Sequence, residues 1–258
     1  MFSERIVKVL INNGFCTHRG APGFLRNNQV LVNGCRVVAP KTEVRLSSDE
    51  INVNGKVLEK TQHVYLLLNK PLGYVCSSVS DRHPLVYSLV KDVKLPSSSG
   101  LLHSAGRLDS DTSGLLLLST NGKFTHVLSS PEFSVQKKYC ASLEKPVAPD
   151  QRNYYRTAFR SGIILPPEKK SPEEKALPAG IDFLSDSECI VTVCEGKFHE
   201  VRRMFLALQN KVIALKRLQF GPFVLPPELK EGEYVELSEA EVEKLFHEKS
   251  FPVKLNLR

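Results

Sequence analysis

One stretch of the chain constrains its fold more than any other: a polar loop that leads directly into a run of leucines. Residues 106–114 (GRLDSDTSG) hold two carboxylates and an arginine between two glycines, residues 115–118 are all leucine, and Asn121-Gly122 follows. A short apolar run bounded by turn signals is typical of a fully buried strand. The loop should therefore lie at the end of a rigid core element, where catalytic groups are held well, and Asp109 is the candidate for the chemistry.

One possible role of this loop is calcium binding. Asp109, Asp111, Ser113 and Gly114 occupy the first, third, fifth and sixth places of an EF-hand-like loop. Such a loop needs a glutamate at its twelfth place and a helix after it. The twelfth place is Thr120, and a strand is predicted where the helix is needed. The sequence therefore excludes an EF-hand.

Two roles for Asp109 remain open from the residues alone. An aspartate in a glycine-rich turn often only accepts hydrogen bonds from the backbone or pairs with a neighbouring arginine. The other role is that of a carboxylate nucleophile or base, with Arg107 nearby to bind a phosphate or a carboxylate.

The distribution of charge favours a polyanionic partner. The 258 residues include 35 Lys and Arg against 28 Asp and Glu, which gives a net charge of +7 and a pI near 9.1. Residues 1–46 carry seven basic and two acidic residues, and residues 197–217 carry six and one. A single basic segment is commonly only a solvated surface, but two in one chain favour nucleic acid.

The sequence gives no support for several other classes of protein and site. No apolar run is long enough to span a membrane and the N-terminus lacks a signal-peptide layout, so we expect a cytoplasmic protein without a membrane partner. The six cysteines include no Cys-x-x-Cys pair and are expected to be reduced thiols. His199-Glu200 would begin a zinc-protease motif only if position 203 were histidine; it is Arg203, so no metal site is predicted.

The chain is predicted to have an α+β fold in two parts. In residues 1–58, Ser3 should cap a first helix, the glycines and proline of residues 20–23 should break or shorten a second, and hairpins should turn at Asn33-Gly34 and Asn54-Gly55. Strand and helix patterns do not alternate along the rest of the chain, so its sheet should be mixed or antiparallel. The remaining predicted boundaries are a linker at residues 59–63, a second domain at residues 64–246 and a tail at residues 247–258.

Several motifs resemble those of the RsuA-like family of ribosomal RNA pseudouridine synthases. The Gly-Arg-Leu-Asp loop with its leucines is similar to the family's catalytic motif in order and spacing. Residues 196–204 (GKFHEVRRM) are similar to its basic helix motif, with Glu200 in place of the commoner glutamine. Further matches are Asn-Lys-Pro at residues 69–71 and Lys-x-Tyr ending at Tyr139. The resemblance covers residues 1–246.

The resemblance implies an enzyme that isomerises uridine to pseudouridine in ribosomal RNA, with neither cofactor nor metal. Asp109 would be the essential carboxylate, Tyr139 would stack on the target base, and Arg202 would pair with Asp109 and keep it ionised in a pocket that excludes water. The leucine run, Ser130-Pro131 and the Lys-x-Tyr form favour the small-subunit branch. The alternatives are a large-subunit synthase and a non-catalytic RNA-binding factor of ribosome assembly.

RNA contacts are expected in both parts of the chain. Residues 1–58 resemble a small RNA-binding module named after a small-subunit ribosomal protein, although they depart from its pattern at residues 20–23. The implied RNA-binding residues are Lys8, Thr17, Arg19 and Arg26 in the module and Lys70, Arg107, Lys197, His199 and Arg203 in the second domain. We expect a monomer that acts on ribosomal RNA or on an assembling ribosomal subunit.

Overall fold

The structure is a computed structural model, and it describes residues 3–45, 48–58, 63–77, 79, 82–95, 101–169 and 171–247. Of the predicted linker at residues 59–63, only His63 lies within these ranges, and of the predicted tail at residues 247–258, only His247 does. No helix within the described ranges is long and apolar enough to cross a membrane.

The chain divides into two compact units. The first comprises residues 1–64 and 94–101, and the second comprises residues 65–93 and 102–258.

The described residues of the first unit form two short helices and six short strands. They are β1 Ser3–Arg5, α1 Ile6–Asn12, α2 Ala21–Asn27, β2 Val30–Val32, β3 Cys35–Arg36, β4 Glu43–Arg45, β5 Ile51–Val53 and β6 Lys56–Val57. β1 pairs with β4, and the other four strands form an antiparallel sheet in the order β3-β2-β5-β6. Aliphatic residues of both helices and of the strands form a common small core.

Both predicted hairpins of the first unit are confirmed. Asn33 and Gly34 have φ values of 50° and 78°, and Asn54 and Gly55 have φ values of 53° and 84°. Positive φ at both central residues is the requirement of a type I′ turn, which Asn-Gly meets at little steric cost. The two hairpins are joined through β2 and β5 into one sheet.

The helices of the first unit differ in detail from the prediction. Ser3 lies in β1, and α1 begins after Arg5 without a side-chain cap. α2 forms although it contains Pro22 and Gly23, because the proline lies in the first turn, where its missing N–H is not needed. The helix is only seven residues long, so the expectation of a shortened helix is confirmed.

The second unit is built on one large mixed sheet. The strands of the second unit are β7 Tyr65–Lys70, β8 His103–Ser104, β9 Ser113–Ser119, β10 Lys137–Leu143, β11 Ile164–Leu165, β12 Glu174–Lys175, β13 Gly180–Phe183, β14 Glu188–Val193, β15 Val212–Phe220, β16 Phe223–Val224 and β17 Tyr234–Glu236. Its helices are α3 Gly122–Ser129, α4 Arg152–Ser161, α5 Glu200–Ala207 and α6 Glu239–His247, with 3₁₀ turns at Val86–Val90 and Pro131–Phe133.

The sheet order confirms the predicted α+β class. The strands follow one another as β13-β14-β10-β15-β9-β7-β17, with β8 beside β9 and β16 beside β15, while β11 and β12 form a separate pair. Within the large sheet, every pairing of these strands is antiparallel except that of β9 with β15. The sheet is therefore mixed.

The leucine run forms the buried centre of this sheet. All seven residues of β9 are buried, and so are all six residues of the neighbouring β7. Gly114 lies where β9 meets β15: its φ is +99°, and a Cβ placed on it would lie 2.3 Å from the carbonyl oxygen of Arg217. Only glycine permits this approach, which fixes the end of the 106–114 loop against β15.

Candidate active site

A cavity of about 260 Å³ opens at the end of β9 in the second unit. Its wall is formed by the loop before β9, by β10 and β15, and by the segment that leads into α5. It contains six of the residues that the sequence assigned to the site: Arg107, Asp109, Tyr139, Lys197, His199 and Arg202. The fold therefore brings residues from three distant parts of the sequence to one place.

Asp109 is presented to the cavity by a loop that a buried lysine holds from beneath. Lys70 is fully buried at the end of β7, and burial lowers the pKa of its ammonium group. Its Nζ donates hydrogen bonds to the carbonyl oxygens of Asp109 (3.0 Å), Thr112 (2.8 Å) and Pro71 (3.0 Å). The prediction that Lys70 contacts RNA phosphate is therefore wrong, since its three donors are used inside the protein.

Arg202 does not form the predicted ion pair with Asp109. Its Nη2 lies 3.0 Å from Asp111 Oδ2 and donates to the Asp111 carbonyl oxygen at 2.9 Å, and its Nη1 donates to the carbonyl oxygen of Val212 at 3.1 Å. The pairing prediction was therefore wrong: the carboxylate that Arg202 contacts belongs to Asp111, two residues after Asp109. The guanidinium group thus fixes the turn that carries Asp109, and it still lines the cavity.

The positively ionisable group that faces the Asp109 carboxylate is His199. The distance from His199 Nε2 to Asp109 Oδ1 is 3.6 Å, and His199 Nδ1 lies 2.9 Å from Glu168 Oε1. The Asp109 side chain is 40% exposed, whereas that of His199 is 16% exposed. Asp109 and the imidazole therefore lie next to each other in the cavity wall, and the carboxylate is the more exposed of the two.

Tyr139 lies on β10, and it is buried. Burial raises the pKa of its hydroxyl group, and the neighbouring Arg217 guanidinium opposes that rise through its charge and a hydrogen bond. Arg217 is itself buried: its Nε donates to the carbonyl oxygen of Leu115 at 2.7 Å, and its Cζ lies 4.7 Å from the centre of the Phe220 ring. Tyr139 is thus a neutral aromatic surface in the cavity wall.

Two buried glutamates share a hydrogen bond beside the cavity. Burial, together with Glu195, raises the pKa of Glu200 to about 8. Burial opposes ionisation of Glu195 as well, but hydrogen bonds from the Lys197 ammonium group and the Leu177 N–H, which donates at 2.6 Å, leave its pKa below the usual value. Glu195 therefore stays an anion while Glu200 holds a proton at neutral pH.

Sequence comparison decides the family. A family model described as RNA pseudouridylate synthase matches residues 64–207. The chain belongs to this family. The match includes the residues of the cavity wall from Gly106 to Arg202, so most of the site described above lies in the part of the chain that the family model covers.

Full-length relatives and a solved structure agree with this assignment. The synthase is 38% identical to the ribosomal small subunit pseudouridine synthase A of Haemophilus influenzae, over 93% of this chain and 99% of that protein. It is 36% identical to the protein of the same name from Escherichia coli, over 84% of this chain and 89% of that protein. It resembles a crystal structure of a pseudouridylate synthase with a TM-score of 0.62 and 37% identity, over 93% and 99% of the two chains.

The structure separates the RNA-contact predictions into accessible and inaccessible residues. In the synthase's first unit, Lys8, Thr17, Arg19 and Arg26 are all exposed, and Lys8 pairs with Glu4 at 2.6 Å. In the second unit Arg107 is exposed at the cavity. Half-buried Lys197 pairs with Glu195.

The RNA-contact prediction for Arg203 is wrong. This residue is fully buried, and its guanidinium group donates to the Glu174 carboxylate (2.9 Å) and to the carbonyl oxygens of Pro166, Pro172 and Phe198 (2.9, 2.7 and 3.2 Å). It holds the 166–174 loop against the N-terminus of α5. Neighbouring Arg202 and Arg203 thus stabilise two different loops of the synthase.

Sequence reasoning missed Glu168, Glu195 and Arg217. Arg217 lay within the basic segment at residues 197–217, but no periodicity distinguishes a buried arginine on a strand from an exposed one. Glu168 lies in a turn-rich insertion that gave no functional signal, and only the fold brings it to His199.

Proposed function

We propose that this enzyme isomerises uridine to pseudouridine in small-subunit ribosomal RNA, with Asp109 as its catalytic carboxylate. One observation supports both the assigned reaction and the assigned catalytic residue. Asp109 lies in the cavity wall, in a motif that the family match covers. The near full-length identity to two small-subunit synthases supports the choice of RNA.

The reaction makes simple demands on the site. The N-glycosidic bond of uridine is broken, the uracil rotates, and the same base is rejoined to the ribose through carbon. Because no electrons and no group are supplied from outside, the protein has to provide an anionic carboxylate, a surface for the base, and shelter from water. Asp109, Tyr139 and the cavity itself are the parts of this chain that we assign to these three tasks.

Tyr139 is proposed as the surface on which the target base stacks. A base inside folded RNA has to leave its stack to reach a cavity, which costs about a few kcal/mol. Stacking on an aromatic side chain returns about 1–3 kcal/mol for each base. Tyr139 lines the cavity that Asp109 also lines, so a base stacked there would be presented to the carboxylate.

RNA binding is assigned to exposed cations in both units. We propose that residues 1–58 form an RNA-binding module that uses Lys8, Thr17, Arg19 and Arg26, and that Arg107 orients the RNA at the cavity of the catalytic domain, residues 64–246. We also propose that the enzyme acts as a monomer in the cytoplasm, on ribosomal RNA or on an assembling subunit.

The test is a pseudouridine map of ribosomal RNA from cells with and without the protein. One site in small-subunit RNA should disappear without it and should return with the wild type. Asp109→Asn should not restore the site, whereas Asp92→Asn, a change of an exposed aspartate in the same unit, should restore it. A site lost from large-subunit RNA instead would overturn the choice of RNA, and unchanged maps for both RNAs would overturn the reaction.

A further inference from the structure

We infer that His199 is a positioning residue for Asp109, oriented by Glu168, rather than a residue that contacts RNA. This inference rests on the proposed function, since it concerns how the proposed catalytic carboxylate is held. The feature that carries it is the chain of contacts from Glu168 through both ring nitrogens of His199 to Asp109.

The backbone at His199 is fixed in a conformation that side chains rarely adopt. Its φ is +48° and its ψ is 31°, which places it in the left-handed region immediately before α5. A non-glycine residue persists there only when its surroundings over-determine it. The carbonyl oxygen of His199 accepts from the N–H of Arg203 at 2.9 Å, and the buried Arg203 side chain donates to the carbonyl oxygen of Phe198.

The imidazole ring is also fixed from one face. It stacks on the Phe198 ring with 3.8 Å between centroids and 17° between planes. Lys169 Nζ lies 5.5 Å from the centre of the same Phe198 ring. Because the ring lies against Phe198 and only 16% of the His199 side chain is exposed, its freedom to turn toward RNA is small.

Glu168 is held in place by its own loop. Its N–H donates to the carbonyl oxygen of Ser171 at 3.0 Å, and the N–H of Ser171 donates back at 2.8 Å. The carbonyl oxygens of Pro166 and Pro172, on either side of this turn, accept hydrogen bonds from the buried Arg203 guanidinium. The 166–174 loop is thereby tied to α5, and its Glu168 carboxylate reaches His199 Nδ1 at 2.9 Å.

The ring nitrogens connect two carboxylates. A hydrogen bond from Nδ1 to Glu168 fixes the orientation of the ring and directs Nε2 at Asp109. When both nitrogens carry protons, the ring donates to Glu168, and its positive charge lies beside the Asp109 carboxylate, with 3.6 Å between Nε2 and Oδ1. Two other cations of the cavity wall contact different carboxylates, Arg202 that of Asp111 and Lys197 that of Glu195. His199 is therefore the group through which the 166–174 loop acts on Asp109.

The test separates positioning from RNA contact by measuring two quantities. Single-turnover rates at saturating RNA and dissociation constants for the same RNA are compared for the wild type, His199→Asn, Glu168→Ala and Glu168→Gln. Asparagine tolerates the left-handed backbone, so His199→Asn removes the ring without adding strain. Glu173→Ala, which removes an exposed glutamate from the same loop, is the matched control.

We expect the rate of His199→Asn to fall by about tenfold or more while RNA affinity changes by less than about twofold, because a misplaced reacting group costs rate rather than binding. Glu168→Ala should also lower the rate. Glu168→Gln should keep much of the wild-type rate, since its amide oxygen can still accept a hydrogen bond from Nδ1. The double variant His199→Asn with Glu168→Ala should be no slower than His199→Asn alone, because Glu168 acts through the ring.

Three outcomes would overturn the inference. They are a loss of affinity with an unchanged rate, a Glu168→Ala variant as fast as Glu173→Ala, and additive effects in the double variant. If His199→Asn fails to fold, the Glu168 variants still decide the question, since that side chain is 32% exposed in a surface loop. A wild type that forms no pseudouridine in either RNA would overturn the proposed function, whereas equal rates for active wild type and variants would overturn this inference alone.

Discussion

Lys70 and Asp109 are joined by a hydrogen bond from the Lys70 ammonium group to the Asp109 carbonyl oxygen, at 3.0 Å. Lys70 belongs to β7 and Asp109 to the loop before β9, so the bond ties the loop to the sheet beneath it. The same ammonium group also binds the carbonyl oxygens of Thr112 and Pro71. The position of Asp109 thus depends on a buried cation that does not itself face the cavity.

Lys70→Met should damage both stability and activity. Methionine fills similar space but leaves three carbonyl oxygens without their donor, and an unsatisfied buried polar group costs about 1–3 kcal/mol. We expect a loss of about 2–4 kcal/mol in the free energy of unfolding, measured in urea, because the loop will relax and water will reach part of it. The isomerisation rate should fall more than RNA affinity. A Lys70→Met variant with wild-type stability and rate would show that the loop does not need this clamp.

Because Arg202 pairs with Asp111, a substitution of Asp111 tests how much this ion pair contributes to holding the loop. The Asp111 side chain is 61% exposed, and an ion pair at such a surface contributes about 0–1 kcal/mol. Asp111→Asn should therefore lower stability by less than about 1 kcal/mol and slow isomerisation only a few-fold, because Arg202 keeps its bond to the Asp111 carbonyl oxygen.

Arg202→Ala should be more harmful than Asp111→Asn in both measurements. It removes the donors to the carbonyl oxygens of Asp111 and Val212 together with the ion pair. Unfolding in urea and single-turnover rates of the two variants, with Asp109→Asn beside them, test this order. An inactive Asp111→Asn variant next to an active Asp109→Asn variant would show that the catalytic carboxylate was assigned to the wrong residue.

The parts of the fold that depend on local pattern could be predicted from the sequence. The leucines of β9 indicated a buried strand, and this strand is buried throughout. Asn33-Gly34 predicted a type I′ hairpin and Asn54-Gly55 a second short hairpin, because few other residue pairs adopt two successive positive φ values.

The partners of charged side chains could not be predicted in this way. Lys70, Arg202 and Arg203 were all expected to meet RNA or Asp109, yet each is engaged by groups far away in the sequence. Which carbonyl or carboxylate a long cation reaches depends on how strands and loops converge. Sequence spacing fixes the side of an element on which a residue lies but not what lies opposite.

Gly114→Ala should destabilise the second unit severely. A Cβ at this position would lie 2.3 Å from the Arg217 carbonyl oxygen, and the backbone has a φ of +99°. The clash can be relieved only by separating β9 from β15, and overpacking and backbone strain each cost about 1–3 kcal/mol. Gly122→Ala is the matched control, because it has no atom within 4 Å of its Cβ position. Equal unfolding midpoints for the two variants would contradict the prediction.

The salt dependence of RNA affinity should show whether the exposed cations of the first unit contact RNA phosphates. Arg19 and Arg26 are exposed, and each phosphate that an arginine neutralises releases a counterion. The double variant Arg19→Ala with Arg26→Ala should bind RNA more weakly and lower the slope of log affinity against log salt by about 1.5–2. Lys8→Ala should change the slope less, since Lys8 is already paired with Glu4. An unchanged slope in the double variant would remove both arginines from the RNA-binding surface.

The Glu195–Glu200 pair should make stability fall toward alkaline pH. The pKa of Glu200 is raised to about 8 in the folded protein from an ordinary value of 4.5, so the folded state binds the proton more tightly than the unfolded state. The stability that this group contributes is therefore fully present below pH 4.5 and is lost as the pH rises to about 8.

Glu200→Gln should remove this dependence. Glutamine can still donate a hydrogen bond to the Glu195 carboxylate but carries no proton to lose. The free energy of unfolding, measured in urea at pH 5 and pH 8, should decrease less for the variant than for the wild type. Other groups titrate in both proteins, so the difference between the two curves isolates the contribution of Glu200. Parallel curves for the two proteins between pH 5 and pH 8 would show that Glu200 is not held in its protonated form by Glu195.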